Sequence, residues 1–83
     1  MSKFKIKLNE FGQIQNFIRV MWDVEADSII RSEDRKYSVD AKSIMGVYSL
    51  DLSKHLILEI NGEAEGLVDK FTSANIFVET INE

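Results

Sequence analysis

The chain has 83 residues, 10 Lys and Arg against 14 Asp and Glu for a net charge of −4, one histidine, His55, and no cysteine. These counts exclude a disulfide scaffold, a thiol nucleophile and any cysteine-based or histidine-rich metal site, and the acidic surplus ranks nucleic-acid binding low. The length fits one domain, 1–83, with one modest core. No apolar run reaches the ~20 residues of a membrane span. Met1 to Asn9 lacks the apolar stretch of a secretion signal, so the sequence is read as a cytoplasmic protein that does not bind membranes.

The first segment alternates, with Phe4, Ile6 and Leu8 on one face and Lys3, Lys5 and Lys7 on the other. A period of two predicts a half-buried strand. Asn9 to Gly12 breaks the pattern and reads as a loop. From Ile14 to Ala26 the period becomes helical, with Ile14, Phe17, Ile18 and Met21 in one stripe and Trp22 at its edge. Ser28–Ser32 and Arg35–Val39 read as strands joined by the polar turn Ser32-Glu33-Asp34-Arg35.

Asp40 to Leu50 reads as a short helix capped by Asp40 or Ser43. Ile44, Val47 and Leu50 are expected inside, Met45 and Tyr48 outside. His55 to Ile60 alternates again, with Leu56, Leu58 and Ile60 on one face, and Asn61-Gly62 marks a break. Leu67, Phe71, Ala74, Val78 and Ile81 recur at steps of four and three, which predicts a last helix over Ala64 to Thr80. The order is β-α-β-β-α-β-α. Strands with one wet face need helices on the other, so the expected class is α+β: an open-faced two-layer sandwich with a four-stranded antiparallel sheet and three helices on one face.

The run Lys42-Ser43-Ile44-Met45-Gly46-Val47-Tyr48-Ser49-Leu50 resembles the regulatory-serine segment of HPr, the histidine-containing phosphocarrier family of the sugar phosphotransferase system. The resemblance extends over Val39 to Ile60 and the element order. It implies an HPr-like fold, phosphorylation of Ser43, and a protein-docking surface that includes Ile14, Phe17, Ile44, Met45 and Tyr48. The family carries its phosphoacceptor histidine in a Gly-x-His-Ala-Arg-Pro-like motif at the start of the first helix. Aligned on Gly12, the matching run here is Gly12-Gln13-Ile14-Gln15-Asn16-Phe17. Ile14 stands at the histidine position, Asn16 at the arginine position and Phe17 at the proline position. Isoleucine has no atom that can carry a phosphoryl group. The chain is thus similar in kind to catabolite-repression HPr-like proteins, which lack that histidine and keep the serine. By resemblance, the expected partners are HPr kinase/phosphorylase, a LacI-type catabolite-control repressor, or phosphotransferase-system enzymes.

Each candidate has a plainer reading beside it. Ser43 can be a helix cap and nothing more. Ile44 can complete the core. His55, which opens a strand, can be a solvated strand-end residue, or it can replace the missing acceptor. Glu33, Asp34, Glu63 and Glu65 lack the spacing of an acid–base pair or a metal site. Lys3, Lys5 and Lys7 form an outward strand face. The sequence therefore leads to the expectation of a non-enzymatic, HPr-like regulatory domain controlled at Ser43, without metal or cofactor. The alternative is a functional phosphocarrier that uses His55.

Overall fold

A computed structural model describes residues 1–82. Strand β1 spans Ser2–Ile6, helix α1 Phe11–Trp22, strand β2 Ser28–Ser32 and strand β3 Ser38–Asp40. Helix α2 spans Ile44–Tyr48, strand β4 Leu56–Ile60, helix α3 Leu67–Ser73 and strand β5 Phe77–Thr80. The strands form one antiparallel sheet in the order β3-β2-β4-β1-β5. The molecule is an α+β domain with five strands and three helices, one strand more than the sequence predicts.

The alternation of the early strands is realised across the register. Phe4 pairs with Leu58, Leu58 with Ile30 and Ile30 with Val39, which makes one apolar row on the helix side. The next row, Lys5, Ile57, Arg31 and Ser38, faces away from the helices. The core lies between the first face and the helices, where Phe17 of α1 stacks on Phe71 of α3 with ring centres 5.8 Å apart. Both rings are buried, together with Ile6, Leu8, Met21, Leu56, Leu58, Ile60 and Val47.

The outer face is closed by charged side chains. Arg31 and Glu59, on β2 and β4, form an ion pair that is mostly buried. Lys5 reaches Glu79 at 3.3 Å and Glu33 at 3.4 Å, so it ties β5 and the β2–β3 turn to the middle of the sheet. Ile57 is paired with Lys5 on one side and Arg31 on the other, and it is buried although it belongs to the outer row. The aliphatic stems of such long side chains cover apolar surface while their heads stay polar.

The largest departure from the sequence reading is at the C-terminal end. The predicted helix Ala64–Thr80 is in fact α3 followed by β5. Asn75 adopts a left-handed conformation with φ 60°. The Ile76 amide donates to the Phe71 carbonyl at 2.8 Å, and the Asn75 amide donates to Thr72 at 3.1 Å. This pair of bonds is the Schellman stop, and Asn tolerates the left-handed residue it needs better than most side chains do. Ile76 is buried behind the stop, and Phe77-Val78 continues as a strand, rich in the residue types that favour one. Val78 and Ile81 therefore belong to the sheet edge and its exit, not to a helical stripe.

Candidate functional site

Helix α1 starts three residues earlier than its periodicity suggests. The Glu10 amide donates to the Gln13 side-chain oxygen at 3.0 Å, one arm of a capping box. The Gln13 side-chain nitrogen donates to the Asn75 carbonyl at 2.6 Å. Gln13 is buried, and its amide is used at both ends to join the start of α1 to the turn after α3. Ile14, at the position of the missing phosphoacceptor, is buried in the core. The start of α1 thus presents no side chain that can accept a phosphoryl group.

The docking residues expected on α1 need correcting on the same ground. Phe17 is fully enclosed and Ile14 nearly so, because both lie on the stripe that packs against the sheet and α3. The solvent side of α1 carries Phe11, Gln15, Ile18, Arg19 and Trp22 instead, and with Ile44 and Tyr48 they line a shallow groove of about 340 Å³ between α1 and α2. Phe11 is 66% exposed and Trp22 65%. Ile44, expected inside, is instead exposed with Tyr48, and Met45 beside them is 81% exposed. Val47 of α2, and Leu50 just after it, enter the core. The sequence reading puts Phe11 in the preceding loop, Ile18 in the inward stripe and Trp22 at the edge of that stripe. The structure corrects all three: α1 begins at Phe11, and Ile18 and Trp22 line the outward groove.

Helix α2 is shorter than predicted, and its start is defined by Ser43. The Ser43 Oγ accepts the Gly46 amide at 3.1 Å, which caps the first turn. Asp40, the other cap candidate, belongs to β3, and its carboxylate accepts the Lys42 amide. Gly46 fits tightly: a β-carbon there would come within 3.1 Å of the Val39 β-carbon and 3.2 Å of the Ser43 Oγ. Ser43 is half-buried and precedes the exposed pair Ile44 and Met45.

His55 lies outside β4, is exposed, and lines a different cleft of about 430 Å³ between the β2–β3 turn and the loop after α2. The same cleft holds Glu33, Asp34, Asp51, Lys54 and Tyr37. Hydrogen bonds from the Ser32 hydroxyl and the Lys36 amide hold the Asp34 carboxyl below its ordinary value. The Ser53 hydroxyl and amide do the same for Asp51. Glu33, Asp34 and Asp51 thus line the cleft against one cation, Lys54, so a phosphoryl group on His55 would meet a net negative surround. Glu63 and Glu65 line a third cleft with Asp23 and Glu25. Among the described residues no group of three or more His, Asp or Glu side chains is placed to hold a metal ion. Among the described residues no helix is long and apolar enough to cross a membrane.

Compared with protein-family models, curated proteins and solved structures, the chain matches none of them.

Proposed function

We propose that this chain is an HPr-like regulatory or interaction domain without phosphocarrier chemistry, which binds protein partners through the α1–α2 groove and is controlled by phosphorylation of Ser43. The observation that carries this reading is the contrast between two helix starts. At α1 the acceptor position is filled by Ile14, and Gln13 is used as a structural bridge. At α2 the half-buried residue Ser43 sits beside exposed apolar side chains. The element order from β1 to α3 supports the family resemblance, and β5 is an addition to it.

Phosphorylation would add about −1.5 to −2 charge at the edge of the groove. The exposed amides of the first α2 turn would tolerate that charge, so the helix would persist while the surface changes what it binds. Partners of this kind include an HPr serine kinase, a LacI-type catabolite-control repressor, or enzymes of the sugar phosphotransferase system, all in a cytoplasmic setting.

The test is incubation with an HPr serine kinase and ATP, followed by mass spectrometry. One phosphate on Ser43, absent in Ser43→Ala, is the expected result, and an unmodified Ser43 overturns the regulatory half. In parallel, incubation with phosphoenolpyruvate and enzyme I should leave the chain unlabelled. An acid-labile phosphate lost in His55→Ala would overturn the non-catalytic half.

A further inference from the structure

We infer that the α1–α2 groove is also a self-association surface, in which α1 of one copy pairs antiparallel with α1 of a second copy about a two-fold axis. The inference goes beyond the regulatory reading and stands without it.

The first support is spacing. Phe11, Gln15, Ile18 and Trp22 are separated by four, three and four residues. At 100° per residue they fall within an arc of about 60°, a narrow seam on the side of α1 that faces α2 and solvent. The pattern reads the same in both directions. A two-fold axis between Asn16 and Phe17 therefore sets Phe11 opposite the second copy's Trp22, and Gln15 opposite its Ile18. An isologous contact requires such a self-complementary patch.

The second support is charge. Each copy carries −4, so two copies repel unless they meet where neither presents carboxylates. The α1–α2 groove has no carboxylate in its lining, and its one charged residue is Arg19. The other large exposed apolar side chains lie among acids. Ile29 shares its cleft with Asp27, Asp40 and Glu59 against one lysine, Lys42, and Tyr37 shares its cleft with Glu33, Asp34 and Asp51 against one lysine, Lys54.

The third support is size. Phe11, Trp22, Ile44, Met45 and Tyr48 offer on the order of 600 Å² of mostly apolar surface per copy, against the ~800 Å² per partner of a standard interface. That predicts a reversible dimer that forms at micromolar or higher concentration.

The chain has one tryptophan, Trp22, which is exposed in the single copy, so its emission reports the contact directly. Across a dilution series from about 1 mM to about 1 μM, the mass by sedimentation equilibrium should fall from twice 9.5 kDa to 9.5 kDa. Trp22 emission should move to the red over the same range. Phe11→Asp, an exposed first-turn position where an acid suits the helix dipole, should weaken association at least ~10-fold without unfolding the chain. Met45→Glu, on α2, should weaken it too. Tyr37→Ser should leave it unchanged.

Orientation can be read by cross-linking, since the chain has no native cysteine. A mixture of Phe11→Cys and Trp22→Cys chains should oxidise to a covalent heterodimer. Phe11→Cys alone should not couple, because the two copies' positions would lie about 16 Å apart along the helices. A mass of one chain with constant Trp22 emission at every concentration overturns the proposal. So does association that survives Phe11→Asp and Met45→Glu, or that is lost in Tyr37→Ser.

Discussion

At Ser43 a single oxygen atom holds the first turn of a five-residue helix, and the same atom is the proposed site of modification. Removing it leaves the Gly46 amide without its acceptor. Ser43→Ala should lower unfolding stability by about 1 kcal/mol in urea titration, and Ser43→Asp, which keeps an acceptor, should recover most of that. Asn75 is the second decisive residue. With φ at 60°, a β-branched side chain is strained there, so Asn75→Val should cost about 1–3 kcal/mol by the same measurement, whereas Asn75→Gly should be nearly neutral. Its effect should extend to α1, because the Asn75 carbonyl accepts from Gln13. These residues also show why the sequence was only partly readable. Ser43 before an apolar run is a recognisable cap. A lone Asn inside a stripe that continues at helical spacing is a weak stop signal, because Val78 in β5 and Ile81 just after it happen to keep the beat.

At the scale of elements, β1 was legible because its inner face packs on the helices and its outer face carries lysines, which writes the period of two into the sequence. Strand β2 carries no such alternation, since Ile29 on the outer face sits beside Ile30 on the inner one. The inward stripe of α1 was legible for the matching reason. What periodicity could not give was the second use of α1. Ile14 and Phe17 were assigned both to the core stripe and to a docking surface, and burial decides for the core. The outward seam needs the position of α2 to be recognised, and nothing local in the sequence encodes it. Between β2 and β4, the Arg31–Glu59 pair joins neighbouring strands on the outer face. Glu59→Ala would leave Arg31 mostly buried without a counter-charge. The expected loss is about 3 kcal/mol in thermal or urea unfolding, and adding Arg31→Met should recover much of it.

For the molecule as a whole, the shifted groups set the pH range of stability. Asp34 and Asp51 are held below the ordinary value of 3.8, so their contribution is complete above that value and disappears as pH falls below it. Lys5 is held above 10.5, chiefly by its bond to Glu79 and then by Glu33, so its contribution is complete below 10.5 and disappears as pH rises through its folded value. Stability measured by urea titration should decline at both extremes, and Asp51→Asn should flatten the acid limb while Lys5→Met flattens the alkaline one. Raised salt should shrink the Lys5 effect, since its ion pairs are exposed.

Strand β5 also brings the two ends of the described residues together. The Ile81 amide donates to the Lys3 carbonyl at 2.9 Å, so the first and last strands of the molecule run out at one corner of the sheet. A few Gly and Ser residues suffice to join residue 82 to residue 1. New termini opened in the exposed Glu33-Asp34 turn should then give a circularly permuted protein with the same far-ultraviolet dichroism as the parent. Anything fused to either end projects from that corner.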